Sequence, residues 1–489
     1  MTDQPLILVL DAGTTSTRAL LFAPDGTPSG LSQRELTQHY PAPGWVEHDA
    51  LEIWDKTLAC ARDAVAAAGG AGRIAAIGIT NQRETVVAWD RQSLLPLHRA
   101  LVWQDRRTAD ACAALKERGL ESAVQASTGL LLDPYFSATK MRWLIDNIPA
   151  VAEAAGAGRL ALGTVEDWLV ARLTGGAHLT DASNASRTLL LPLAGSSWDD
   201  GLCDLFGVPR AALGEVVDCA GNFGSTDPVL FGGAIPICGM AGDQQSATLG
   251  QGCLSPGETK ATYGTGAFVL ANMGGVVPHS ANRLLGTVLC QLGGRRTYAL
   301  EGSVFVAGSL IKWLRDGLGL IGSAAESEAL ARSVGDNGGV TIVPALSGLG
   351  APHWRPEARA VITGMSLATT RAHIARAALE SMAMQTLELA EAFAADGAAW
   401  TSLRIDGGMS ANDWMAQDLA NVLQIQVERP AFVETTALGA AMLAGVGAGL
   451  FDSLDHAASA MRGAVTRFTP APTDIAARRA AWAKALAAT

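Results

Sequence analysis

The sequence predicts an α/β protein built from two related lobes. Three observations carry that prediction. Short apolar runs repeatedly end in polar turns, at residues 6–10 before Asp11, 74–79 before Thr80, 235–240 before Ala241 and 403–405 before Asp406. Helix-like stretches lie between them, notably residues 372–393 and 411–423. An opening pattern of strand, Gly/Thr turn, strand and turn recurs about half a chain later. Strands alternating with helices imply a sheet whose sites lie at the carboxyl ends of strands. The half-chain repeat implies two lobes of one plan.

In chain order, residues 6–10 form a continuous apolar run too short for a helix, which reads as a buried strand. Gly13-Thr14-Thr15-Ser16 turns the chain into a second strand, residues 17–22, closed by the turn Ala23-Pro24-Asp25-Gly26. In the second half, residues 258–263, the turn Gly264-Thr265-Gly266 and residues 267–272 repeat this plan, ending at Gly274-Gly275. Ser410 is the expected cap of the helix at 411–423. Residues 437–450 are apolar but short and interrupted by glycine, which predicts a buried helix rather than a membrane span. The alanine-rich tail, 473–489, reads as a surface helix. The lobe boundary is expected in the Gly/Pro-containing stretch 250–257, giving lobes of residues 1–251 and 252–489.

The chain has 489 residues, 49% hydrophobic and 17% charged, enough for two or more domains with a large core. A net charge of -11 argues against a nucleic-acid partner. Seven cysteines without a CxxC pair read as reduced, mostly buried thiols of a cytoplasmic protein. Eight histidines show neither HExxH nor a pair at helical spacing, which argues against zinc. The N-terminus has no basic segment and no long apolar run, so no signal peptide is expected. No run is long enough to cross a bilayer.

The motifs point to phosphate and hydroxyl chemistry. In Asp11-x-Gly13-Thr14-Thr15-Ser16-x-Arg18, the glycine lets backbone approach a phosphate, and hydroxyls and turn amides can donate to its oxygens. Asp11 ends a buried strand, so its charge calls for a cation, which Mg²⁺ on a nucleotide would supply. Alone, the motif also describes an ordinary β-turn. The second turn at 264–266 strengthens it, because two facing turns could hold one polyphosphate. Asp406-Gly407-Gly408 opens a helix and allows close approach of a ligand, or is simply a capped connection. There is no GxxxxGK[ST] and no GxGxxG after the first strand. Asp243, after a buried strand, is a candidate base for an attacking hydroxyl, or else a capping residue. Asn81-Gln82-Arg83-Glu84 offers mixed donors and acceptors such as a triol needs, or a surface salt bridge. Trp103 is an aromatic wall or a core residue.

Together with GWVEHD, WQDRRTA, DPYFSATK, TDASNASRT, AGDQQ, TYGTG, EGSVFVAG, PALSGLGAPHW and TALGAA, these segments resemble the FGGY family of carbohydrate kinases. Within it they resemble the members that act on glycerol. The resemblance runs in order from Asp11 to about Gly449. It implies two ribonuclease-H-like (actin/hexokinase-like) lobes with an interlobe cleft, and transfer of phosphate from ATP to glycerol with Mg²⁺. It matches Arg83, Glu84, Tyr135, Asp243 and Gln244 to polyol contacts, and Trp103 and Phe268 to aromatic walls. Asp243 matches the catalytic base, and Asp11 and Asp243 the acidic residues near the metal. Thr14, Thr15, Ser16 and Arg18 match the first phosphate turn and Thr265 the second. Gly308, Lys312, Gly408 and Asn412 fall at nucleotide-contacting positions. The first lobe would hold the polyol and the second the nucleotide, in a cytoplasmic homo-oligomer, dimer or tetramer.

Four departures stand out. Ala12 and Lys312 each replace a common Gln, and His353 replaces an aromatic. Residues 224–235 lack the Gly-rich, Arg-containing loop that binds a sugar bisphosphate in some members. Two rivals remain: a kinase of another small polyol or ketose, and a non-catalytic ATP-binding protein with actin-like lobes. The cluster of Arg83, Glu84, Trp103 and Asp243 argues against the second.

Overall fold

A computed structural model describes residues 4–355 and 357–489. The first three residues of the expected first lobe therefore lie outside the described residues.

The first apolar run forms β1 (Leu6–Ala12), buried from Ile7 onward. It pairs antiparallel with β2 (Ser16–Phe22), and β2 pairs antiparallel with β3 (Pro28–Glu35). β3 is mostly exposed, as an edge strand is. Helix α1 (Ala50–Ala68) follows, capped by Asp49, whose carboxylate accepts from the Leu51 and Glu52 amides. β4 (Ile74–Asn81) then runs parallel to β1, and β5 (Ile237–Gly242) runs parallel to β4. The sheet order is β3-β2-β1-β4-β5. Helix α2 (Asp243–Gly250) leaves β5 directly.

The second half builds β6 (Glu258–Tyr263), β7 (Ala267–Gly274), β8 (Leu285–Leu292) and β9 (Arg295–Val304). Then come α3 (Arg371–Ala395), β10 (Ser402–Asp406), α4 (Asp413–Leu423), β11 (Val427–Pro430), α5 (Thr435–Gly447), β12 (Val465–Phe468) and α6 (Ala476–Leu486). Their sheet runs β8-β9-β7-β6-β10-β11-β12. β6 and β7 are antiparallel, β7 and β9 antiparallel, and β10 lies parallel to β6. Its inner order, β9-β7-β6-β10-β11, repeats β3-β2-β1-β4-β5, with β8 and β12 added at the edges. The half-chain repeat in the sequence is thus a repeat of topology, and the fold is two α/β lobes of one plan.

Two elements differ from expectation. Helix α4 starts at Asp413, not Ala411, because Asn412 is the cap: its side-chain oxygen accepts from the Met415 amide at 2.9 Å. Ser410 sits in the short turn Gly408–Ala411 that precedes it. The tail helix α6 is not wholly a surface element, since Trp482 and Ala485 are buried. The apolar helix α5 is buried as expected, but against the first sheet. Its alanines pack with Ile7, Val9, Leu20 and Ala76. Glycine permits the approach: a Cβ on Gly78 of β4 would lie 2.4 Å from the Ala440 carbonyl oxygen. A helix from the second half therefore clasps the first lobe. Among the described residues no helix is long and apolar enough to cross a membrane.

Candidate active site

β4 delivers the first group of side chains. Beyond Asn81 the chain turns away from the sheet, and Glu84 adopts a left-handed φ of 60°. A bulky non-glycine residue held there signals a conformation fixed by its surroundings. Here the surroundings are charges. Arg83 spreads its fork over Glu301 of β9, with Nη1 donating to Oε2 at 2.6 Å and Nη2 to Oε1 at 3.1 Å. It also donates to Gln245 at 3.2 Å and to the Tyr135 hydroxyl at 3.3 Å. Arg187 donates to Glu84 at 2.7 Å and to Glu301 at 3.1 Å. All four charged side chains are buried. Burial alone would raise the Glu301 pKa, but Arg187 and Arg83 outweigh it and bring it down to about 2.

Asp243 is the first residue of α2, at the carboxyl end of β5. About a third of its side chain is open, and Oδ1 lies 3.4 Å from Arg83 Nε. The same oxygen accepts from the Gln244 amide at 2.7 Å. Burial raises its pKa to about 6, against the opposing pull of Arg83 and with further push from Glu84. A carboxylate of that pKa is ionised at neutral pH yet basic enough to take a proton from an alcohol in a transition state. Gln244 is fixed from across the lobes: Lys260 of β6 donates to its side-chain oxygen at 2.5 Å. Lys260 is buried, and burial lowers its pKa against the pull of Asp406 and Asp243.

Trp103 and Tyr135 meet edge to face, 5.6 Å between centroids, forming one aromatic wall. The Trp103 indole donates to the Thr14 hydroxyl at 3.0 Å, which joins this wall to the first turn. Gln82 makes a second junction, donating to the Gly13 carbonyl at 3.0 Å. Phe268 stands half-buried on β7, opposite Ser303 of β9, and makes no ring contact with Trp103 or Tyr135.

The two hairpin turns are more open. Thr15 and Thr265 are exposed, and Thr14 and Ser16 partly so. Arg18 pairs with both Asp11 and Glu434, so the cation facing Asp11 here is an arginine. Burial still holds the Asp11 carboxyl above its ordinary range, against the pull of Arg18. Gly308 donates its amide to the Gly264 carbonyl at 2.9 Å, bringing a helix start onto the second turn. Gly408 is open, with nothing within 4 Å of where a Cβ would be. Asn412 has its oxygen engaged in capping α4. Lys312 is exposed on the surface. Among the described residues, no three His, Cys, Asp or Glu side chains gather so as to hold a metal ion.

Sequence reasoning missed Arg187, Glu301 and Lys260. A signal existed for the last two: each is a charge in the interior of an otherwise apolar or hydroxyl-bearing strand, where a charge is rarely left unpaired.

Known proteins resemble this chain closely in sequence and fold. Residues 6–250 match the N-terminal domain of the FGGY family of carbohydrate kinases, and residues 259–448 its C-terminal domain. Glycerol kinase of Rhodospirillum rubrum is 55% identical over 92% of this chain and 91% of that protein. Glycerol kinase of Methylobacterium nodulans is 53% identical over 98% of this chain and 97% of that protein. The crystal structure of Plasmodium falciparum glycerol kinase with ADP superposes with a TM-score of 0.94 at 35% identity, covering 99% of this chain and 98% of that one.

Proposed function

This chain belongs to the FGGY family of carbohydrate kinases, and from that premise we propose that it transfers the γ-phosphoryl group of ATP to glycerol, giving ADP and sn-glycerol 3-phosphate. The observation that carries the chemistry is the Asp243 carboxylate, its pKa raised to about 6, at the open end of a strand beside Arg83 and Glu84. The terminal hydroxyl of glycerol attacks the γ-phosphorus, its proton passes to Asp243, and the bond to the bridging oxygen of ADP breaks. Arg83, Glu84 and Gln244 meet the hydroxyls, while Trp103, Tyr135 and Phe268 face the carbon chain. ATP lies across the turns at Thr14-Thr15-Ser16 and Thr265, with Gly308, Gly408 and Asn412 toward the nucleoside. In this reading residues 1–251 carry the polyol and residues 252–489 most of the nucleotide contacts.

Mg²⁺ fits the donors present, which are carboxylate and hydroxyl oxygens. When bound, it neutralises charge on the phosphate oxygens. Asp11 and Asp243 stand at the ends of β1 and β5, with β4 between them, so they are separated laterally by about 10 Å. These two carboxylates are the side chains that would hold the ion. We place the reaction in the cytoplasm, in keeping with seven buried, unpaired cysteines.

The experiment is ADP release measured against a panel of glycerol, tetritols and ketoses. Glycerol should give the highest kcat/KM. Preference for a ketose would move the activity elsewhere in the family, and ADP release indifferent to any acceptor would remove the polyol site from the account.

A further inference from the structure

The polyol-facing side chains leave the first lobe in directions that they do not set themselves. Arg83 has four hydrogens on its two terminal nitrogens, and the structure supplies four acceptors: both oxygens of Glu301, the Gln245 side-chain oxygen and the Tyr135 hydroxyl. Only Nε–H remains, lying between Asp243 at 3.4 Å and Glu84 at 3.7 Å. Glu84 is held by one oxygen, Oε1, on which Arg187 Nε closes at 2.7 Å, while among the described residues no hydrogen bond reaches Oε2. One donor and one acceptor are thereby left side by side, the pair that two neighbouring hydroxyls of a polyol require.

The fixing groups lie behind the site. Arg187 is buried completely, its guanidinium 5.3 Å from the Phe136 ring and 5.8 Å from the Tyr135 ring. Glu301 sits in the middle of β9, in the second lobe, beside Leu270 of β7 and Leu285 of β8. Two arginines against two carboxylates make the buried cluster neutral, and each charge has partners of opposite sign. The arrangement is stable only complete: without Glu301, two buried guanidiniums face each other, and the nearest free carboxylate for Arg83 is Asp243.

We propose that Glu301 and Arg187 are positioning residues for the polyol, fixing the directions of Arg83 and Glu84 and making acceptor recognition by the first lobe depend on a carboxylate of the second. The proposal rests on the polyol-kinase reading and extends it to residues that do not touch the substrate.

The test compares Glu301→Gln and Arg187→Lys with the wild-type full chain. The glycerol KM should rise by about 10–100-fold, the range expected for losing one hydrogen bond to a charged group. The ATP KM should stay within about twofold. Glu301→Asp should recover part of the loss. A glycerol KM within twofold of wild type in both substitutions overturns the proposal, as does a parallel rise in both KM values with a matching fall in melting temperature. If Glu301→Gln does not fold, Arg187→Lys, which keeps the buried charge, decides alone by the same criterion. Calorimetry with glycerol and no nucleotide separates the two levels: wild-type binding without turnover overturns only the kinase reading, and binding unaffected by the substitutions overturns only the positioning role.

Discussion

On the proposed reading, the polyol floor and the phosphate turns solve opposite problems. The floor is buried and ionic: Arg83, Glu84, Arg187 and Glu301 are buried, and each is paired with an opposite charge. The turns are backbone and hydroxyl, half-exposed, with Thr15, Thr265 and Gly408 open. A small neutral acceptor carries little binding energy, so its hydroxyls must be met by donors and acceptors already in place. A polyphosphate brings its own charge and needs only amides and hydroxyls close enough to donate. On the proposed reading, acceptor specificity resides in the buried ionic cluster, and nucleotide binding in the two more open hairpin turns.

Three substitutions press on that contrast in decreasing order. Asp243→Asn removes the base at the edge of the floor, and turnover should fall by about 10²–10⁴-fold, read as single-turnover rates with saturating ATP and glycerol. Gly308→Ala acts on the turns instead. Its Cβ would lie 2.6 Å from the Gly264 carbonyl oxygen, against backbone that cannot swing aside. The ATP KM should rise by about 10-fold or more, as overpacking of 1–3 kcal/mol implies, while glycerol affinity stays within twofold. A loss of glycerol binding equal to that of ATP would erase the distinction between the two regions. Lys312→Gln should change the ATP KM by less than about twofold, because the side chain is exposed and surface changes are small. A larger change would bring Lys312 into the nucleotide site.

Much of the fold was legible because its strands are short, apolar and ended by glycine, threonine or aspartate. β6 spans the residues expected, and β1 and β4 each run two residues past the expected end. What could not be read was where elements dock. An all-apolar helix announces burial but not against what, so α5 could be foreseen as buried and not as a clasp on the other lobe. The same limit hid half of the site. Arg83 and Glu84 were visible as a charged step at a strand end, but Glu301 lies 218 residues from Arg83 and Arg187 lies 103 residues from Glu84. No local pattern links them. Asp11 shows the converse: its need for a cation was legible, and the structure answers it with Arg18, which the sequence already placed in the same hairpin.

The central claim is that Asp243 takes the proton from the acceptor hydroxyl. The pH dependence of kcat/KM for glycerol tests it most directly, because only the ionised carboxylate can accept that proton and its pKa is raised to about 6. The account predicts activity steady above pH 7 and falling about tenfold per pH unit below about 6, with that limb absent from the residual activity of Asp243→Asn. Activity unchanged down to pH 4.5, or the same limb surviving in Asp243→Asn, would contradict it.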